Sequence, residues 1–467
     1  MTLKKADYKI KHEEIIKKEN ESCFLPNKEK IDYNSFILLE FFNLEEFQNL
    51  VDGLDCLYKD THPYEKDKAD YKNILENSKN KLFSRKSQKL PSIGDLRFKG
   101  KSLSAWSFHK LPKNVEFLTF RIYTITPSVA VLQIHVHIDK KISEKINRII
   151  YKYHKESKEK IVKNKGTYEI TFYPQQIKTK EIGNLKNKVK KDIVDFLSDF
   201  FKGSFFKLAD KDINVVPSID IYSLKKIPSR STKETVDWLL KNIDFFQCLN
   251  TMPPFSAFSY DGFVFSINER NESRFVNCSV FANQESFGGN MYPDIDSEIK
   301  GRVNNICFDL LAIYRWLEIQ ETIVGELNSM ISEESQKLNF IQLKKIIKSR
   351  REMSNKIFRF ERFAVEFDNY SPFLDKPKFI SLKGKGSLFE NLKTNIDEKM
   401  RIIKNMIRLF NEHLKQLLDL RNIEYNRNIQ NFLLILTILA LLISIIQFLD
   451  LRPSDILKFF EKIKETI

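Results

Sequence analysis

Residues 432–449, FLLILTILALLISIIQFL, run for eighteen positions without a charge, a proline or a glycine. At about 1.5 Å per helical residue they reach about 27 Å, close to the roughly 30 Å hydrocarbon thickness of a bilayer. A surface or core helix of five turns keeps a polar face where it meets water. This stretch has none, which predicts a C-terminal transmembrane helix. Within it Thr437, Ala440, Ser444 and Gln447 step by three, four and three, so small and polar groups share one stripe. Thr437 and Ser444 can bond back to their own helix. The stripe suits a helix–helix contact between spans or the lining of a water-filled path in an oligomer. Thr437, Ser444 and Gln447 are the candidate pore or interface residues.

The chain leading into this segment is as constraining as the segment. Between Ser387 and Gln430 there is no proline or glycine, and Phe389, Leu392, Ile396, Met400, Ile403, Ile407, Phe410, Leu414 and Leu417 recur in steps of three and four. That is one helical stripe, alternating from Met400 onward as a heptad seam does. The spacing predicts one continuous rod from Ser387 to Leu449, about 95 Å long at helical rise. A rod with an apolar stripe needs a partner, its own domain or copies of itself.

The 467 residues carry 77 Lys and Arg against 62 Asp and Glu, a net charge of +15, with 42% apolar residues and 39 Phe. This composition requires real cores and excludes a disordered chain. Cys23, Cys56, Cys248, Cys278 and Cys307 include no CxxC pair, so neither a zinc knuckle nor a disulfide framework is expected, in keeping with a reducing cytosol. The N-terminus lacks the apolar run of a signal peptide. The expected location is therefore the inner (cell) membrane, single-pass, with the bulk of the chain cytosolic and the span C-terminal. Arg421 and Arg427 before the span are outnumbered by Arg452, Lys458, Lys462 and Lys464 after it, which opposes that orientation. The amphipathic tail 450–467 suits the membrane interface.

In chain order, 1–92 is a charged segment with a helix predicted over Tyr33–Leu57. Residues 93–293 form an α+β ligand-binding domain. It has a hairpin over 116–125 and 129–139, a basic helix over Lys140–Lys160, and a strand at 167–173. A helix over Asn184–Lys202, an interrupted or edge strand at 213–222, a helix over Thr232–Leu249 and a second hairpin (262–267, 274–282) complete it. Residues 294–370 predict a helical hairpin, 371–386 a linker, 387–431 the stalk helix, 432–449 the span and 450–467 the tail.

His135 and His137 share a strand face and could hold a metal given a third ligand. No cysteine or carboxylate pattern supplies one, so no metal and no other cofactor is expected; His154 reads as a surface residue. Asp210/Asp212 and Asp294/Asp296 follow glycine turns too closely for a nucleotidyltransferase arrangement and read as loop or helix-cap acids. No GxxxxGK[ST], GxSxG or HExxH occurs, and the chain is not expected to be an enzyme.

Residues 140–191 hold 16 Lys/Arg and 5 Asp/Glu, with tyrosines interleaved. Basic groups neutralise phosphates and aromatics stack on unpaired bases. The candidate nucleic-acid-binding residues are Lys140, Lys141, Lys145, Arg148, Lys152, Lys155, Lys163, Lys165, Tyr151 and Tyr153. A solvated lysine face and a patch facing anionic lipid are the competing readings. A smaller cluster runs from Lys79 to Lys101.

An α+β domain, a helical hairpin and a long stalk helix entering a span resemble, in order and length, the CorA-type magnesium channels from about residue 100 onward. The family's Gly-Met-Asn signature and second span are absent; Asp450-Leu451-Arg452-Pro453 follow Leu449. CorA-like stalks without that signature are similar to a group of bacterial anti-phage defence effectors, among them CRISPR-linked CorA proteins and the effector of the Hailong system. The resemblance implies a homo-oligomeric (tetrameric or pentameric) channel-like assembly in the membrane. Its gating ligand would be an oligonucleotide or other polyanion, supplied in such systems by a signal-producing partner enzyme. A divalent-cation transporter and a tail-anchored scaffold or adaptor are the alternatives.

Overall fold

The computed structural model describes residues 2–60, a few positions between 73 and 80, and residues 94–97, 111–163, 166–228, 232–251, 257–267, 277–288, 294–303, 308–335, 340–371, 379–382 and 386–448. Lys165, Leu449, the 450–467 tail, most of the Lys79–Lys101 cluster and much of the 371–386 linker lie outside them. The chain divides into two compact units. The first comprises Met1–Thr322 with Met353–Ile402, the second Ile323–Glu352 with Ile403–Ile467.

The first unit is a mixed α+β domain built on a nine-stranded sheet. Its strands are β1 (Asp32–Asn43), β2 (Gly94–Arg97), β3 (Val115–Thr126), β4 (Val129–Ile138), β7 (Ser218–Leu224), β8 (Ala257–Tyr260), β9 (Phe263–Ile267), β10 (Asn277–Asn283) and β11 (Ile380–Ser381), in the order β11-β8-β9-β10-β7-β1-β4-β3-β2. Two further strands, β5 (Ser157–Lys163) and β6 (Gly166–Phe172), form a separate ribbon. Both expected hairpins are present, β3 with β4 and β9 with β10, each antiparallel.

The strand at the centre of the sheet is β1, where the pattern predicted a helix over Tyr33–Leu57. Ten consecutive residues of it are buried between β4 and β7. A strand covered on both faces reads as a continuous apolar run, which periodicity alone cannot tell from a buried helix. The helical part of that prediction survives as α2 (Phe47–Asp60). The boundary is a capping box: Asn43 Oδ1 accepts from Glu45 N, and the Glu46 carboxylate accepts from Asn43 N at 3.1 Å. Within the charged segment, ahead of β1, lies α1 (Thr2–Ser22).

Four other expectations are corrected. The basic helix α3 (Lys140–Tyr151) stops at Tyr151, and the chain returns in β5 rather than continuing to Lys160. Strand β7 is interior, paired antiparallel to β1 and parallel to β10, because Pro217 sits just before its ladder and removes no strand hydrogen bond. The next helix, α4, runs over Pro174–Ser198 and starts ten residues earlier than its predicted boundary, with proline at its first position, where a missing N–H costs nothing. The segment 232–249 is two helices, α5 (Thr232–Lys241) and α6 (Ile243–Cys248).

Helices cover both sheet faces. On one, α3 and α4 pack over β1 and β7. On the other, Phe41 of β1 stacks on Trp316 at 4.9 Å between centroids, and Trp316 meets Phe363 edge-on at 4.9 Å. Trp316 and Phe363 belong to α8 (Asp309–Ser335) and α9 (Phe340–Tyr370), which follow α7 (Ile295–Val303). Asp294 caps α7, accepting from Ser297 N at 2.7 Å and Ser297 Oγ at 2.9 Å.

The last helix, α10, is continuous from Leu388 to Phe448, 61 residues. In the second unit its Ile403, Ile407 and Phe410 are buried, and Asn328 Nδ2 donates to the Met406 carbonyl at 3.3 Å. Past Phe410 every described side chain of α10 is exposed. Tyr425–Ser444 is long and apolar enough to cross a membrane, with mean hydropathy 1.6 and none of it buried.

Candidate functional site

The basic segment divides into an outward and an inward set. Helix α3 buries Ile142, Ser143, Ile146, Asn147 and Ile150. Two polar residues on that face complete the start of β1: Ser143 Oγ accepts from Tyr33 N at 2.9 Å, and Asn147 takes Ile31 N and gives to Ile31 O at 3.0 and 2.6 Å. Locking the inner face turns Lys140, Lys141, Lys145 and Arg148 outward, all exposed, with Lys152 just beyond the helix end. Lys141, Lys145, Arg148 and Lys152 follow one another at four, three and four residues, a cationic stripe about 16 Å long. Of these, Lys141 lies 3.7 Å from Asp139. Lys155 is exposed.

The two tyrosines differ in exposure. Tyr151 is half-buried and its hydroxyl donates to the Glu29 carbonyl; burial pushes that phenol up to about 12. Tyr153 is exposed and donates to Glu21 at 2.8 Å. Lys163 lies in β5. On the ribbon, Lys158 lies 3.6 Å from Glu169, and Lys180 of α4 pairs with Glu159 at 2.7 Å.

Three of the lysines counted in the basic segment are not on the surface. Lys178, Lys186 and Lys190 of α4 are buried, at spacings that place them on the helix's inner face with Ile182, Val189 and Ile193. Lys186 donates to Asp220 Oδ2 at 2.8 Å, Tyr222 Oη at 2.9 Å and the Leu249 carbonyl at 3.0 Å. Lys190 reaches Asp220 Oδ1 at 2.9 Å and Ser218 Oγ at 2.6 Å. Tyr33 Oη donates to Asp220 Oδ1 at 2.8 Å and its ring stacks on Tyr222. Burial pushes the Asp220 carboxyl up, but two ammonium groups overcome it and hold it well below the usual carboxylate range. Burial lowers Lys190, whereas Asp220 outweighs burial at Lys186 and raises it. One carboxylate thus serves two buried cations. An acid in the middle of the apolar strand SIDIY, opposite lysines on a helix's apolar face, was the available signal for this cluster.

His135 and His137 sit on β4 and are buried. His135 Nε2 lies 2.7 Å from Ser35 Oγ, and the His137 ring stacks on Phe117. Among the described residues no three His, Cys, Asp or Glu side chains are grouped to hold a metal ion. His154 is buried rather than on the surface: Asn20 accepts from His154 N and donates to His154 O, both at 2.9 Å. A pocket of about 60 Å³ lined by Trp316, Phe358, Arg359 and Arg362 is far below the few hundred Å³ of a small-molecule site. Its two guanidinium groups are paired with Glu45 and Glu366.

In the apolar end of α10, Thr437 Oγ donates to the Leu433 carbonyl at 2.8 Å and Ser444 Oγ to the Ala440 carbonyl at 2.9 Å. Gln447 lies in the last turn of the helix. No protein-family model, no curated protein and no solved structure matches the chain.

Proposed function

We propose that this chain is the subunit of a homo-oligomeric, CorA-like membrane effector. Its apolar helices would insert in the cell membrane as a channel-like assembly gated by a cytosolic oligonucleotide, serving anti-phage defence by collapsing ion gradients. The observation that carries this reading is the exposed end of α10: an uncharged surface along Phe432–Ser444 that nothing else in the chain covers among the described residues. Water does not tolerate so large an apolar surface; lipid and neighbouring copies do. The α3 stripe of Lys141, Lys145, Arg148 and Lys152 supports a polyanionic ligand, because neutralising phosphates needs aligned cations more than a shaped pocket. The ligand would act by binding one state of the assembly better than another.

The test is ion flux from liposomes holding the purified protein, with and without a single-stranded oligonucleotide. Flux that changes with the oligonucleotide, and ceases to do so in Lys145→Glu/Arg148→Glu, is the expected result. Four cations predict a binding slope of about −3 in log affinity against log salt. A particle that is monomeric in mild detergent overturns the oligomeric reading, and metal-dependent flux without nucleic acid favours a divalent-cation transporter. Membrane association without flux favours a tail-anchored scaffold.

A further inference from the structure

Strands β1, β3 and β4 bring a row of polar side chains onto the sheet face from which Phe41 meets Trp316. Arg121 and Gln133 stand opposite one another in the β3–β4 ladder, and one step along it Thr119 stands opposite His135. A further step brings His137 level with Ser35 of β1. Strand alternation puts all six on one face, with directly opposite Cβ atoms about 5 Å apart. Gln133, His135, His137, Thr119 and Ser35 are buried. His135 Nε2 lies 2.7 Å from Ser35 Oγ, and the two imidazole rings are 4.0 Å apart between centroids.

Arg121 is the member whose charge goes unanswered. Its Nε is shut off from water and meets no acceptor, and the half-buried guanidinium has no ion pair among the described residues. The other half-buried arginines that are described each face a carboxylate: Arg302 has Asp261 and Glu298, Arg315 has Glu318, Arg359 has Glu45 and Arg362 has Glu366. Taking a guanidinium out of water is costly unless an anion and hydrogen bonds replace its hydration. Its fork of N–H donors fits the edge of a carboxylate or a phosphate. A carboxylate is satisfied by that fork alone. The Gln133 amide, the Thr119 hydroxyl and the His135 imidazole alongside suit an anion with oxygens on more sides, which is a phosphate group.

We propose that Arg121, with Gln133, Thr119 and His135 beside it, binds the phosphate group of a small phosphorylated molecule. Alone of the six, Arg121 is partly open to solvent, so the phosphate enters on its side of the row and the buried imidazoles lie behind it. The site lies across the sheet from α3 and α4. It is therefore separate from the cationic stripe of α3, and it stands whether or not the chain forms a channel.

Arginine reactivity reads the site in the wild-type protein. The full-length chain in mild detergent is treated with phenylglyoxal in sodium chloride, inorganic phosphate or acetate at one ionic strength, and the modified arginines are mapped by mass spectrometry. Arg121 reacts in chloride and is protected by phosphate, about tenfold at ten times the dissociation constant by mass action. Exposed Arg401 reacts alike in all three. Arg121 unmodified in chloride, or modified equally in phosphate, overturns the site; equal protection by acetate overturns the assignment to phosphate. Equilibrium dialysis with radiolabelled phosphate gives a second reading. Arg121→Met loses the bound phosphate, Arg121→Lys, charged but without the fork, holds it more weakly, and Lys145→Glu/Arg148→Glu keeps it. Phosphate lost in that double variant but kept in Arg121→Met overturns the proposal in favour of the α3 stripe. In phosphate-free buffer Arg121→Met melts no lower than the wild type, because no protein group is stranded; a fall of several degrees shows the guanidinium already satisfied and overturns the proposal. The wild-type protection decides the matter even where a variant fails to fold.

Discussion

Replacing Asp220 by Leu strands two buried ammonium groups at once. The Asp220 side chain is 4% exposed and those of Lys186 and Lys190 are 7% each, so water reaches none of them freely. Removing one partner of a buried ion pair costs about 3–5 kcal/mol, because the remaining charge is left uncompensated. Here Tyr33 also loses its acceptor, which adds about 1 kcal/mol. The first unit holds roughly 370 residues. With about 2.1 cal/mol/K of unfolding entropy per residue, its stability changes by roughly 0.8 kcal/mol per kelvin. The expected fall in Tm is therefore about 5 °C or more, read by near-ultraviolet circular dichroism of the full chain in mild detergent at pH 7. The second arm combines Asp220→Leu with Lys186→Met and Lys190→Met. Apolar replacement of a buried charge cluster is often neutral or stabilising, so the triple variant regains most of the loss. If Asp220→Leu melts within a degree of the wild type, or the triple variant melts no higher than the single one, the cluster does not hold the sheet in the way described.

Other perturbations follow from the same contacts. Gly53→Ala places a Cβ 2.2 Å from the Phe200 carbonyl oxygen and 2.8 Å from the Phe201 ring; it lowers stability by about 1–3 kcal/mol despite a better helix residue, measurable as a drop in Tm. Trp316→Ala empties the site between Phe41 and Phe363 and costs about 3–5 kcal/mol, read by denaturant midpoint at unchanged slope. The depressed Asp220 carboxyl binds a proton more weakly folded than unfolded. Its contribution is present above the ordinary carboxylate value of about 4 and is lost as pH falls toward the folded value. An acid titration of Asp220→Asn lacks this component. Thr437→Ala and Ser444→Ala leave helix content unchanged by circular dichroism, since each hydroxyl serves only its own helix.

What the sequence made legible was whatever repeats along one element. The apolar end of α10 and the unbroken stripe before it needed no tertiary context, nor did the β3–β4 hairpin with its Pro127-Ser128 turn. What it hid depends on which partner faces an element. Strand β1 has the composition of a helix core until β4 and β7 are placed on either side. Lys186 and Lys190 of α4 count as surface charge until Asp220 comes opposite them, and this removes two cations from the surface of the basic segment. The capping box at Asn43–Glu46 was readable and would have separated strand from helix.

The placement of β1 has a consequence for synthesis. Its partners are β4, whose first residue is Val129, and β7, which ends at Leu224. At roughly 5–20 residues per second a ribosome needs about ten to forty seconds to travel from Asn43 to the far end of β7. Throughout that interval a nascent FILLEFF segment has only half its ladder, or none of it. The chain therefore meets its greatest hazard of sticking to its neighbours on the polysome well before its greasiest helix has been translated.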